Sequence, residues 1–478
     1  MNEGQVVQIL QGSSKWWRNP DWEREDEDLK AVSTRFSYTP APLFDIHPDG
    51  LYLLRGPRRV GKSVEIKRAI AQLIRQGVNP RCILYASCDD LTATDLRTLV
   101  TAGKDIATRT VQGPRYWFLD EITAVQGGWA EAIKWLRDSS FMKDDCVVLS
   151  GSSGRGFQEA TKALAGRRGN ALPSDRILLP MPFRVFCTAI GIGLPAIPTV
   201  PSSRIYQALR NDGVADDLVP WLNDLVSAWQ IYLHVGGFPQ AVDGYLRTGD
   251  VEKTFVQAVW DVIRGEALRN GFTSDAEILQ LMYRLTLNMC SPVNQTGIGT
   301  SIGMHHSTVQ QRLQVLAESY LTWTCHQAQG EKDQPFPYLA GQSKVYYADP
   351  LVARLPSLRN PAFPPLDLSK LSQQQVGVSL LRAMGEGDTF LDFSALLYAR
   401  TATRKEIDFV GPRLHGLPVE GKYVDTYPGR DAQTLEAYAG RGILATRSGL
   451  RVTANVVAVP APFLALLLDR ETGLVGAK

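Results

Sequence analysis

The chain has 478 residues, 44% of them apolar and 21% charged, with a formal net charge of +2. Such a length is enough for about three or four domains, and the composition is that of a globular protein able to build its core without disulfides or a structural metal. The near-neutral balance excludes a chain-wide field, so any nucleic-acid contact must come from local basic patches.

The six cysteines, at 82, 88, 146, 187, 290 and 325, form no CxxC pair. Most sit beside apolar residues, as in Cys146-Val147-Val148-Leu149, and are expected as buried free thiols in a reducing compartment. Met1-Asn2-Glu3-Gly4-Gln5 lacks the basic and apolar regions of a signal peptide. No apolar stretch approaches the length of a bilayer span. The expectation is a cytoplasmic protein with no membrane partner.

Residues 1–49 carry Trp16-Trp17-Arg18-Asn19-Pro20 and a charged run from Trp22 to Asp28, and are expected as a lead-in segment. In residues 50–190 short apolar runs alternate with amphipathic helices. The runs Leu51–Leu54, Cys82–Ala86, Tyr116–Leu119, Cys146–Leu149 and Arg176–Leu179 predict strands buried on both faces of a parallel sheet. Their alternation with helices predicts a doubly wound α/β fold. Ile190 to Pro201 is Gly- and Pro-rich and reads as a linker. Residues 191–273 are expected as helical, with Trp221, Leu222, Leu225, Trp229 and Leu233 at helical spacing. Residues 274–356 hold three helical patterns and two strand-like runs. Ser357 to Pro365 reads as a second linker, opening a compact α/β unit over residues 357–478.

Gly56-Pro57-Arg58-Arg59-Val60-Gly61-Lys62-Ser63 follows a predicted strand, and Val64 continues into a predicted helix. This is the G-x-x-x-x-G-K-S phosphate loop in its required context. Gly56 and Gly61 allow successive N–H groups to point at phosphate oxygens. The helix N-terminus adds its positive dipole end. Lys62 would sit on the β and γ phosphates of ATP, and Ser63 would ligate Mg²⁺. A second acidic half-site is expected at the end of another buried strand, and Arg115-Tyr116-Trp117-Phe118-Leu119-Asp120-Glu121 supplies it. Asp120 would hold Mg²⁺, usually through water. Glu121 would orient and deprotonate the attacking water. Cys146-Val147-Val148-Leu149-Ser150-Gly151-Ser152-Ser153 ends a third strand in hydroxyls. Ser150, or else Ser152, would sense the γ phosphate.

These motifs occur in order with Gly127-Gly128-Trp129, Leu164-Ala165-Gly166-Arg167-Arg168 and Pro180-Met181-Pro182-Phe183-Arg184-Val185-Phe186. Together they resemble a prokaryotic AAA-type (AAA+) P-loop ATPase family with a C-terminal winged helix and restriction-endonuclease-like domain. The resemblance is strongest from Leu51 to Phe186. It implies an AAA+ core over residues 50–190, a helical lid over 191–273 and assembly into a hexamer-like ring. In such rings a neighbour's arginine completes the site in trans. Arg167 is the first candidate, with Arg155 and Arg168 as alternatives.

Residues 274–356 fit a winged helix. Val293 to Ile298 would be a short helix, Gly299 to Gly303 the turn, and the helix opening at Met304 the reading helix. Leu321–Cys325 and Lys344–Ala348 would be wing strands. Ser307, Thr308, Gln311, Arg312 and Lys344 are the candidate DNA contacts. In residues 357–478, Glu406-Ile407-Asp408-Phe409-Val410 and Pro418-Val419-Glu420-Gly421-Lys422 flank a hairpin turn. Asp408, Glu420 and Lys422 are similar to the D…E-x-K signature of the nuclease-like fold, where acids hold Mg²⁺ and the lysine positions water. The preceding helix, Leu371-Ser372-Gln373-Gln374-Gln375-Val376, lacks the carboxylate that active members often carry. Three functions stay open: an ATPase acting on duplex or branched DNA in repair, recombination or defence; a regulatory switch on protein partners; and an ATP-dependent nuclease.

Overall fold

The computed structural model describes residues 1–32, 34–108, 111–139, 141–152, 154–339, 341–384 and 395–468. Ser153 and the Arg155 side chain lie outside the described residues.

The first sheet holds β1 (Leu51–Arg55), β2 (Ile83–Ser87), β3 (Tyr116–Asp120), β4 (Cys146–Gly151) and β5 (Asp175–Ile177). The expected strands are present, displaced at their ends by a residue or two. Their order is β2-β3-β4-β1-β5 and every pairing is parallel. β1, β3 and β4 are buried along their whole length, which is why they read as unbroken apolar runs. Because β4 lies between β1 and β3, the residues that end these three strands stand side by side. Leu54 is level with Ser150 and Leu119 with Leu149.

Val6, Leu10, Trp16, Trp17, Trp22, Leu43 and Ile46 of the N-terminal segment pack into the core of this sheet. The indole N–H groups of Trp16 and Trp17 donate to the Ile83 carbonyl at 3.1 and 2.9 Å, next to the outermost strand β2. Buried Asp26 pairs with Lys67 at 2.8 Å on the helix that follows the phosphate loop. Packing against a bare sheet edge gives this Trp-rich segment its apolar surface to cover.

The region expected as a lid is largely helical, with Leu225, Trp229 and Leu233 buried on one face of Leu222–Val235. Two further lid helices, Pro239–Thr248 and Lys253–Arg269, follow it. Next come helices Asp275–Asn288, Gln295–Ile302 and His306–Glu318. The first glycine of the expected Gly299–Gly303 turn is helical, and the chain reverses at Gly303, whose φ of 68° suits glycine.

The second sheet holds β6 (Thr322–Gln329), β7 (Phe336–Pro337), β8 (Ser343–Tyr347), β9 (Leu397–Arg400), β10 (Glu406–Val410), β11 (Val419–Gly421), β12 (Gly442–Thr446), β13 (Arg451–Val452) and β14 (Val456–Pro460). Its order is β13-β14-β12-β11-β10-β9-β6-β7, with β8 also paired to β6. The two expected wing strands, β6 and β8, do form an antiparallel pair. They are not a separate wing, however, since β6 also runs parallel to β9, with His326 opposite Leu397. The sheet therefore crosses the boundary expected at residues 356 and 357. An eight-residue strand with Trp323 and Cys325 buried would be a hazardous free edge, and β9 covers it. Lid, helical module and C-terminal strands share one core, separate from that of the first sheet.

Candidate nucleotide site

Gly56 has a φ of 146°, and a Cβ there would lie 2.1 Å from the Leu178 carbonyl oxygen. Only glycine fits between the loop and that chain. Gly61, with a φ of 105°, starts the helix Lys62–Arg75 from the left-handed region. Pro57 to Val60 form the turn between them, with Val60 buried as its apolar anchor. The Arg58 Nε donates to Ser152 Oγ at 3.1 Å, which ties the loop to the end of β4.

Lys62 is buried, and its Nζ donates to the Gly56 and Pro57 carbonyls, each at 3.0 Å. Burial lowers the pKa of this ammonium, and the nearby Glu121 and Asp120 charges oppose the shift. The charged group is thus stored on its own loop, where phosphate oxygens can replace the two carbonyls.

Asp120 joins the loop to the other strands. Ser63 Oγ donates to its Oδ2 at 2.7 Å, and so does the Tyr85 hydroxyl from β2 at 3.1 Å. Ser150 Oγ donates to Oδ1, and the Glu121 N–H reaches the same oxygen at 3.1 Å. Burial beside Asp120 pushes the Tyr85 pKa far up, so its hydroxyl keeps the proton it donates. Ser150, not Ser152, is the hydroxyl on Asp120. Val64 continues the helix behind Ser63.

Glu121 sits in the left-handed region, with a φ of 52°, directly after β3. Its Oε2 is buried and, among the described residues, has no hydrogen-bond partner. An unpaired buried carboxylate oxygen is costly, and one kept in a folded chain calls for an explanation such as a ligand or a catalytic role. Ser63 and Asp120 supply hard oxygen donors of the kind magnesium takes. The side chains present therefore fit a Mg²⁺ ion.

A cavity of about 540 Å³ opens at this point. Gly61, Lys62, Ser63 and Glu121 line one side, Phe36 and Tyr38 come from the N-terminal segment, and Gln240 and Phe255 come from the lid. Arg68 donates to the Tyr38 carbonyl at 2.7 Å and Glu65 accepts from the Ala41 N–H at 3.1 Å, so the loop helix holds that segment in place. Sequence reading missed Tyr85, Phe36, Tyr38, Gln240 and Phe255. No local motif marks them; only the strand order and the folding-back of the N-terminal segment bring them here.

Arg167 makes a two-pronged pair with Asp138 on its own chain, at 2.6 and 2.9 Å, and both side chains are substantially exposed. Arg168 lies 3.5 Å from Asp175.

The candidate DNA face is less basic than its sequence suggests. Ser307 and Gln311 are exposed and Thr308 is half-buried on the helix His306–Glu318. Arg312, expected to reach DNA, instead pairs with Glu277 at 2.8 Å and lies over the Phe272 ring. Lys344, also expected to reach DNA, is 0% exposed. Its place inside β8 points it at Glu406 and Asp408, at 2.7 and 3.1 Å. Both assignments are corrected for one reason: an acid claims the cation in each case, the half-buried Glu277 for Arg312 and the buried Asp408 for Lys344. The structure does bring Asp408, Glu420 and Lys422 together, on β10 and at the end of β11.

Residues 49–187 match a family described as an AAA domain. Residues 226–359 match a second family, a domain of unknown function, which runs across the boundary expected at 273 and 274. Among solved structures, the Walker-type ATPase of Pyrococcus abyssi is 13% identical, over 72% of this chain and 95% of that one, with a TM-score of 0.35. A RuvB of Thermotoga maritima is 14% identical, over 57% and 81%, with a TM-score of 0.24. The ORC2 protein of Aeropyrum pernix is 11% identical, over 58% and 81%, with a TM-score of 0.28. No curated protein matches the chain. Residues 49–187 are thus similar to an AAA domain, and within them Gly56 to Ser63 have the form of a phosphate-binding loop. No described helix is long and apolar enough to cross a membrane.

Proposed function

We propose that the chain is a Mg²⁺-dependent ATP hydrolase whose nucleotide state alters how the lid and the second core sit on the P-loop domain. The observation that carries this reading is the buried, unpartnered Glu121 oxygen beside Asp120 at the cavity. Lys62 turns from its loop carbonyls to the β and γ phosphates. Ser63 and Asp120 would hold Mg²⁺, which when bound neutralises charge on the phosphate oxygens. Glu121 accepts a proton from water as the water oxygen bonds to the γ phosphorus and the bond to the β-phosphate oxygen breaks. Ser150 keeps Asp120 in place during this exchange. Because Gln240 and Phe255 of the lid line the same cavity, the nucleotide would contact both bodies.

The reading as a regulatory switch gains from Arg312 and Lys344, the two cations expected on DNA, being paired within the chain. A second reading, a ring-forming motor on duplex or branched DNA, is supported by the exposed Ser307 and Gln311. In that reading Arg167 leaves Asp138 to serve a neighbouring site, which its solvent-exposed pair permits. The test is ATP turnover in Mg²⁺ by the wild-type chain and by Lys62→Ala, each with and without single-stranded, duplex and branched DNA. Turnover lost in Lys62→Ala is expected. A Lys62→Ala chain that hydrolysed ATP at the wild-type rate would refute the reading. Stimulation by one DNA form, weakening with salt, would select the motor; no response to any form would select the switch.

A further inference from the structure

The C-terminal cluster resembles a metal-dependent nuclease site by its residue types, but its bonding does not fit a metal. Asp408 Oδ1 faces the Lys344 ammonium at 3.1 Å, and Oδ2 accepts from the Gly421 N–H at 3.0 Å. Glu420 Oε2 accepts from the Asp408 N–H at 2.9 Å, and Oε1 faces the Lys422 ammonium at 3.1 Å. All four carboxylate oxygens therefore have an internal donor. Lys344 is shared between Asp408 and Glu406, and Lys422 between Glu420 and Asp431. A divalent ion at Asp408 would have to take the place of a fully buried ammonium, whereas the donors on Asp120 are neutral hydroxyls and an N–H that carry no fixed positive charge.

The third ligand is also absent. The helix Leu368–Met384 presents Gln373, whose Nε2 donates to the Tyr346 hydroxyl at 3.1 Å and whose side chain lies against Gly421. Among the described residues, no group of three or more His, Cys, Asp or Glu side chains is placed to hold a metal ion.

We propose that the Lys344 ammonium is the permanent cation of this cluster, so that the C-terminal sheet holds no divalent ion and cuts no DNA. Lys344 comes from β8, outside the C-terminal unit, and is fully buried. A buried ammonium is stable only where acids surround it, and Asp408 and Glu406 do so. It also stacks over the Tyr398 ring at 5.1 Å. The cluster thereby ties β8 to β10 and β11, joining the helical module to the C-terminal strands. This inference is independent of the ATPase reading.

The test counts Mn²⁺ bound to the nucleotide-free full chain, by electron paramagnetic resonance, in the wild type and in Asp408→Asn. Equal counts are expected, with supercoiled plasmid left intact by both in Mn²⁺ or Mg²⁺. One ion more on the wild type, or plasmid cutting lost in Asp408→Asn, would overturn the proposal. In Lys344→Gln the acids are released, and one added Mn²⁺ is expected, itself lost in the double variant with Asp408→Asn. A folded Lys344→Gln chain that gained no ion would show that the lysine is not what excludes it. If that variant fails to fold, the wild-type comparison decides alone.

Discussion

Asp120 receives hydrogen bonds from Ser63, Tyr85, Ser150 and the Glu121 N–H. Residues of three adjacent strands and the phosphate loop thus meet at one carboxylate, whose position sets where Mg²⁺ would sit. Tyr85 is the donor no motif announces. Tyr85→Phe keeps the ring and its contact with the Lys67 ammonium, and removes only the hydroxyl. A hydrogen bond to a charged group contributes about 1.5–3 kcal/mol. The Mg²⁺ concentration for half-maximal ATP turnover is therefore expected to rise about tenfold. A Mg²⁺ titration unchanged in Tyr85→Phe would remove Tyr85 from the site.

At the scale of elements, the N-terminal segment is built into the core of the P-loop sheet. Trp17 is 8% exposed and bonded to the Ile83 carbonyl. Trp17→Ala should lower stability by about 3 kcal/mol or more, read from denaturant unfolding, because a buried Trp truncation combines lost burial with a cavity. A loss under about 1 kcal/mol would mean that the segment only rests on the sheet. A second element-level prediction concerns Asp349, which caps the helix Pro350–Arg359 and accepts from the Gly237 N–H of the lid at 2.8 Å. Burial raises its pKa to about 6, from 3.8. The folded state then holds the proton more tightly than the unfolded chain. The stability this contributes is present below the unfolded value and is lost as pH rises through about 6. Asp349→Asn should flatten this part of the stability profile between the two pKa values. A profile equally steep in both chains would contradict the assignment.

For the whole molecule, the cavity lies where the P-loop core meets the lid, which belongs to the second core. A nucleotide gripped by both should raise the melting temperature of the full chain in Mg²⁺, since a ligand at a hundred times its dissociation constant adds about 2.7 kcal/mol. No shift at saturating nucleotide would mean that the folded chain does not bind it. The P-loop half of this picture was legible in the sequence because its signals are local. Apolar runs mark β1, β3 and β4, and Gly56 to Ser63 and Asp120–Glu121 stand directly after two of them. The second half was not legible in the same way. The hairpin β6–β8 reads as a wing from its own residues, but its pairing with β9 depends on a strand far along the chain. Lys344 and Arg312 read as surface cations for the same reason: the acids that claim them, Asp408 and Glu277, are distant in sequence. Tyr85 falls between these cases, since the strand is predicted but its neighbour is not.

The most direct measurement for the central claim is made on Glu121→Gln. The variant keeps the shape of the site and removes the carboxylate that accepts the proton. Its ATP affinity, by filter binding in Mg²⁺, should stay within a few-fold of wild type while turnover falls about a hundredfold or more. Turnover at the wild-type rate would contradict the account, because the unpartnered Glu121 oxygen would then have no part in the chemistry.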